Sequence, residues 1–475
     1  MIDRLRSLFS VNGYSPGYDA TSTNGRRRQP PRLTKAEDDV ATQQKRRILQ
    51  SSSRDLARNF AIAAWAIRKH LDYVSSFSFQ ATTTDAGLNA ALEQFMASAM
   101  QRQRFDVAQR HPFKRAVRLA EACRVKDGDV AWIKLTGRRF RGQVQAVEAD
   151  RIRYPDGAAE GDKWTNGVRV DDVGRAIEYA ICKRDKSYIS LDRVVPARSV
   201  MLHAGYERFD QVRGVSPMAS ALNWFRDTYE GFEYALAKAK VAQLFGLSIY
   251  RDAEQGAFPG ATTPTLDADG DGVKDAGYEV ALGKGPFMLD LEPGDRAEIL
   301  ESATPARETV EFLKLMIHVA LKSLDIPYSF FDESFTNFYG SRGGLIQYLK
   351  SCRAKIRDLQ QLQTDWARWR LGVAVVDGEF VLPSGYEFAD LRFDFIPDGV
   401  PWWDPVKEVN GHMAAVGAGF TSPQRVCREV GTDYEENIRE IAEAQRLASE
   451  AGVSVSFALQ PVESPAVVVA EDEEE

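Results

Sequence analysis

DIPYSFFDESFTNFYGSRGGLIQYLKSCRAKIRDLQQLQTDW, residues 325–366, is the stretch on which the fold turns. Ile326-Pro327 opens it in extended form, because proline biases the residue before it away from helix. Tyr328, Phe330, Phe331, Phe335, Phe338 and Tyr339 follow, broken by Gly340, Gly343 and Gly344. Leu345, Leu349, Cys352, Ile356, Leu359, Leu362, Trp366 and Trp369 then recur in steps of three and four, which places one apolar stripe on a long helix. A bendable aromatic loop thus precedes a rigid strut, with no catalytic group beside it.

The chain outside this stretch is large and of ordinary composition. Its 475 residues, 44% hydrophobic and 27% charged, can bury an ample core in two to four regions. No run reaches the roughly 18 apolar residues of a membrane span, and the N-terminus turns polar too soon for a secretion signal, so a cytoplasmic protein is expected. Cys123, Cys182, Cys352 and Cys427 lack metal spacing and read as buried thiols. His318, between apolar neighbours, reads as a core histidine. The net charge of −7 is uneven. Basic residues crowd the first 70 positions and five acids close the chain, which argues against wrapping nucleic acid on the main surface.

In order, residues 1–44 read as a flexible basic arm. Helical patterns follow from Lys45 through Phe60, Ala64, Ile67 and Leu71, then over 86–107 with Leu88, Leu92, Phe95 and Ala99. A further helix starts at Pro112. From Gly128 the period changes to two, with a hairpin turn at Thr136-Gly137 and two strands around Asp172-Val173-Gly174, so 128–205 reads as a small β-rich module. Helix returns at Pro217 with Leu222, Phe225, Tyr229, Phe232, Leu236 and Ala239. Residues 252–300 predict one strand over 286–291, and Thr304-Pro305 predicts a capped helix start. Strands are expected over 373–381 and 386–395. Asp404-Pro405 and Ser422-Pro423 repeat the cap-plus-proline signal, and 452–475 reads as a disordered acidic tail.

Candidate chemistry is sparse. Asp267, Asp269, Asp271, Gly272 and Asp275 match the first half of a calcium loop, but Tyr278 stands where a bidentate Glu belongs. A solvated acidic turn is the simpler reading. Residues 277–285 fail the phosphate-loop spacing and lack its Ser or Thr. Residues 214–217 lack the second glycine of a nucleophile elbow. No cofactor other than calcium is suggested, and catalysis is not supported. A hydrolase with dispersed carboxylates has no residue pair to name.

Several segments, in order, resemble the portal proteins of tailed bacteriophages, of the lambda type. They are the helix over 59–74, Gly128-Asp129, and Val168, Asp171, Gly174, Arg175 and Tyr179. Further on come Arg208, Gln211, Arg213 and Gly214, then Ile326-Pro327-Tyr328 with Asn337, Phe338, Tyr339 and Arg342, and finally Trp402 or Trp403 with Asp404, Pro405, Lys407 and Glu408. Asp325 stands where that family carries glycine. The resemblance implies an α+β, ring-forming portal fold: a mainly α-helical wing, stem and crown with a small β-rich clip.

It further implies a non-enzymatic ring, usually of twelve copies, at one capsid vertex, conducting double-stranded DNA in packaging and ejection. The implied partners are the terminase large subunit, capsid and scaffold proteins and a head-completion or neck protein, with no membrane. The place would be the virion, and the host cytoplasm during assembly. Mapped on this chain, the wing covers 45–97 and 241–421, stem helices 98–123 and 206–240, the clip 124–205 and the crown helix 422–451. A tunnel loop at 328–343 would turn Ser334, Phe335, Thr336, Asn337, Phe338, Tyr339 and Arg342 toward DNA. The glycines would let that loop move, and some aromatics would pack beneath the wing. The reading from another class is a calcium-dependent binding protein built on Asp267, Asp269, Asp271 and Asp275.

Overall fold

The computed structural model describes residues 35–154, 163–184, 189–244, 247–251, 265–266, 275–276, 295–299, 306–332, 338–399 and 404–453. Its helices of eight residues or more are α1 (Gln43–Asn59), α2 (Ala61–Val74), α3 (Ala86–Ala99), α4 (Phe113–Asp127), α5 (Leu222–Leu244), α6 (Arg307–Leu321), α7 (Phe338–Asp377), α8 (Pro405–Gly417), α9 (Pro423–Val430) and α10 (Tyr434–Glu450).

The spine is α7, whose 40 residues span about 60 Å at 1.5 Å per residue. The stripe read from the sequence divides between two cores. Tyr348 and Cys352 pack with α2, α5 and α6 through Ile67, Leu71, Phe225, Ile317 and Leu321. Leu359, Leu362, Trp366, Ala367, Leu371 and Ala374 pack with Phe105, Phe113 and Trp132. Ile356 touches both. Phe113 stacks on Trp366 at 4.2 Å between centroids, and Phe105 meets Phe113, Trp132 and Trp366 edge-on.

Two antiparallel sheets carry the β region. β2 (Asp129–Lys134) lies between β3 (Val144–Glu148) and β8 (Val200–Ala204). β4 (Trp164–Thr165), β5 (Val168–Val170), β6 (Ala176–Arg184) and β7 (Ile189–Pro196) follow one another in the second. Alternation along β2 sends Val130 and Trp132 into the large core and Ala131 and Ile133 into a third one, with Val147, Val168, Tyr179 and Ile181. The β region is therefore fastened to the spine rather than free of it.

Several expectations change. Residues 98–123 do not form one helix: Asp106 accepts from the backbone N–H groups of Ala108, Arg110 and His111 and holds a loop between α3 and α4. Over 206–240 the α-helix begins only at Leu222, after a single 3-10 turn, Pro217–Ser220, capped by Ser216. The long partner of α5 is α6, not the 98–123 segment. β2 and β3 are joined by a nine-residue loop, 135–143, rather than a tight turn at Thr136-Gly137. No strand forms over 373–377, because Ala374 is buried in the spine's own core and packing overrides the β preference of Val373, Val375 and Val376. The helix stops before Gly378, at φ +72°. Of 386–395 only the end is extended, as β11 (Phe393–Pro397) beside β1 (Phe77–Ala81). His318 is exposed, since α6 buries Leu313, Met316, Ile317 and Ala320 on another face. The strand expected over 286–291 and the cap at Thr304-Pro305 lie outside the described residues. β9 (Leu247–Arg251) pairs instead with β10 (Asp295–Ile299), antiparallel.

Candidate functional site

The motif residues converge on a clasp rather than on a reaction centre. Asp129 begins β2 directly after α4 and is wholly buried. Its carboxylate accepts from Arg213 Nε and Nη2, both at 2.7 Å, from Arg46 Nη2 at 3.1 Å and from the Gly214 N–H at 3.0 Å. Arg213 also donates to the carbonyls of Ala149, Ile152 and Asn166, so all five of its N–H groups are used. Burial alone would raise the Asp129 carboxyl, but the Arg213 and Arg46 charges hold it below the usual range. Burial and the neighbouring Arg213 bring Arg46 down to about 10.

The paired glycines follow from this geometry. Gly128 sits at φ +99°, and a Cβ there would stand 2.5 Å from the Gly214 carbonyl oxygen. One on Gly214 would collide with the Gly128 oxygen in turn. The other motif residues also build turns and caps. Asp171 accepts from the N–H groups of Val173 and Arg175, with Gly174 at φ +82°, and closes the β5–β6 hairpin that pairs Val168 with Tyr179. Gln211 accepts from the N–H of Arg208. Asp404 caps α8 on the N–H of Lys407. Asp325 holds φ +59°, a left-handed backbone that favours glycine, and it pairs with Lys355 at 2.9 Å.

A second buried cluster had no signal in the sequence. Glu121 of α4 accepts from Arg124, one turn on, from His70 Nε2 of α2 at 2.7 Å and from His203 Nε2 of β8 at 2.9 Å. Burial would raise Glu121, yet the Arg124 charge and these hydrogen bonds hold it well below the usual carboxylate range. An ionised carboxylate only accepts, so both imidazoles donate through Nε2.

Burial pulls His70 below its ordinary 6.5. The unfolded chain therefore takes up a proton on this residue at a higher pH than the folded chain does. Stability is expected to fall as pH drops from about 6.5 toward the depressed folded value, by at most about 1.4 kcal/mol per pH unit for this group. Glu121 adds a decrease in the same direction below its ordinary 4.5. Urea midpoints between pH 7 and pH 5 check this, and His70→Asn should flatten the upper part of the slope. An unchanged slope in the variant removes His70 from the account.

The aromatic segment divides. Phe330 stacks on Tyr73 and meets Tyr348 edge-on, while Phe331 meets Trp65 edge-on, so the start of the segment packs on α2 and α7. Ser334, Phe335, Thr336 and Asn337 lie outside the described residues. Phe338 and Tyr339 open α7. Arg342, expected at the channel, reaches Glu408 of α8 at 3.4 Å. Gly340, Gly343 and Gly344 belong to the first turns of α7, not to a loop. A Cβ on Gly344 would already press on Ser329 and Pro327, so this glycine serves close packing. Asp267, Asp269 and Asp271 lie outside the described residues, and Asp275 sits in the two-residue strand Asp275–Ala276. No group of metal-ligating side chains occurs among the described residues.

Comparison with known proteins agrees with the motif reading. The family described as "Phage portal protein, lambda family" matches residues 24–355. Portal protein B of Escherichia phage lambda is 22% identical over 430 residues, which is 80% of each chain. Among solved structures, a chain from the neck of an empty gene transfer agent particle is similar at 12% identity and a TM-score of 0.46, over 80% of this chain and 93% of that one. A phage portal protein of the HK97 family from Corynebacterium diphtheriae is similar at 10% identity and 0.28, over 57% of this chain and 77% of that one. The family match covers most of the chain and includes the Asp129–Arg213 clasp, the β5–β6 hairpin and Asp325: the chain belongs to the lambda family of phage portal proteins.

Proposed function

We propose that the chain assembles head-to-tail into a closed ring at a capsid vertex, through which double-stranded DNA is packaged and ejected, and which catalyses nothing itself. The observation that carries this reading is the antiparallel α5–α6 hairpin. Gly231 lies against Leu313, and the pair continues into β9 and β10 with Leu247 opposite Ile299.

Each helix carries an apolar stripe that nothing among the described residues covers. On α5 the core positions Leu222 and Phe225 continue into Tyr229, which rests on Phe60, and then into Phe232 and Leu236, 42% and 55% exposed. On α6, Phe312 and Leu315 are 60% and 58% exposed, with Val319 one turn on. At 3.6 residues per turn, each stripe lies about 130° around its helix from the partner helix. The two turn in opposite senses about axes that run in opposite directions. The stripes therefore face opposite sides of the hairpin, and they overlap in height.

Two different patches, back to back and level, suit a head-to-tail contact that closes into a ring. A ring of about twelve copies follows the family habit. On this reading α5 and α6 form the stem and 245–305 between them the clip, in place of 124–205, with α8 to α10 as crown. Terminase and neck proteins would then dock on the clip. Negative-stain electron microscopy of the purified chain tests the reading: rings with a central hole are expected, and monomers or open filaments overturn it. Shortening 333–337 is expected to abolish DNA packaging while rings still form, read by packaging assay and imaging together. Failure of the rings to form would make this segment part of the fold instead.

A further inference from the structure

Outside the clasp and the stem, one charged array stands apart. Lys350, Arg353, Arg357 and Arg368 share one exposed side of α7. None of them has a carboxylate partner among the described residues, whereas Arg342, Lys355 and Arg370 of the same helix pair with Glu408, Asp325 and Glu379. Asp358 and Asp365 stand on the neighbouring side, where their fields act on Arg124 and Lys134. Arg353 and Arg357 also line a cleft of about 600 Å3, whose other wall contributes Arg428 of α9 together with the carboxylates of Asp398 and Glu429. Arg428 is exposed and has no ion-pair partner among the described residues.

We infer that this stripe and cleft hold the phosphate backbone of the DNA that the portal reading passes through the ring, on which reading the inference rests. Like charges three and four residues apart on a helix repel by a few tenths of a kcal/mol per pair, so the array gains from a polyanion. The cations rise along a straight axis by about 4.5, 6 and 16.5 Å, and the whole run of about 27 Å matches some eight base pairs of duplex. The exposed acids of α10 are a poorer fit for the same array in a neighbouring copy, because Glu435, Glu443 and Glu450 already pair with Arg439 and Arg446, which leaves two, Glu436 and Glu440, against five cations. A few cations on a chain of net charge −7 touch the duplex without the grip that would stall its movement.

Fluorescence anisotropy of a labelled duplex of about 30 base pairs, at salt between ~50 and ~200 mM, tests the assignment, with light scattering on the same samples. The combined variant Lys350→Gln, Arg353→Gln, Arg357→Gln and Arg428→Gln is expected to bind at least tenfold more weakly at low salt. Its salt slope should be shallower by about 0.9 for each phosphate that is no longer neutralised. Arg353→Lys with Arg357→Lys should keep most of the affinity. Equal affinity and slope in the neutral variant overturn the assignment. So does dissociation of its rings, which would make the stripe an interface between copies. A wild-type chain that forms no rings overturns the portal reading alone, because the affinity comparison still decides the stripe.

Discussion

Arg213→Ala is expected to cost about 3–5 kcal/mol of folding stability, a large share of the 5–15 kcal/mol that holds a typical domain. The side chain is buried and uses every donor it has. Its removal leaves Asp129 ionised with only Arg46 and the Gly214 N–H, and strips one partner from each of three carbonyls that join the β4–β5 turn and the loop after β3 to the clasp. Asp129→Ala should cost as much for the opposite reason, since it leaves two guanidinium groups facing each other without their carboxylate. Arg213→Lys keeps the charge but has neither the fork nor the five donors, so it should recover less than half of the stability. Urea unfolding followed by far-UV circular dichroism reads all three, and the Arg213→Ala, Asp129→Ala double variant closes the cycle. The two changes should be strongly non-additive, because the second removes a group that the first has already left unpaired. Single effects below about 1 kcal/mol, or additive ones, would mean that the clasp contributes little net stability.

What could be read in the sequence follows from which interactions are local. The stripe of α7 was legible because helical period and burial coincide along it. Asp404-Pro405 and Ser422-Pro423 were legible because a capping side chain meets its N–H within three residues. The clasp was visible only as a likeness, since Asp129 and Arg213 lie 84 positions apart and nothing between them states that they meet. Glu121 with His70 and His203 gave no sign, at separations of 51 and 82. His318 was misread because α6 is apolar on two sides, and periodicity does not say which side faces inward. The helix boundary near Asp106 was hidden for a related reason. The helical pattern over 86–107 runs past the end of α3 at Ala99, because Asp106 holds the chain before α4 with its own side chain, and a long apolar helix such as α5 does not announce its partner.

The two-sided hairpin leads to the other large effect, and it concerns assembly rather than folding. Phe312→Glu with Leu315→Glu on α6 should leave a folded monomer, and so should Phe232→Glu with Leu236→Glu on α5. Each pair removes large side chains worth about 1.5–3 kcal/mol apiece when fully buried and places charges against an apolar surface. Even half of that sum weakens a junction more than tenfold, at about 1.4 kcal/mol per decade, and a ring repeats the penalty at every junction. Mixing the two monomers separates head-to-tail from symmetric association. If the α6 stripe of one copy meets the α5 stripe of the next, the mixture holds one sound junction and stops there, so light scattering should report heterodimers and nothing larger. If each stripe instead met its own counterpart across a two-fold axis, the α5 variant would dimerise through its intact α6 stripe without any mixing. Monomers that stay monomeric apart and pair only when combined are the expected result; dimers of either variant alone would refute the ring geometry drawn from the hairpin.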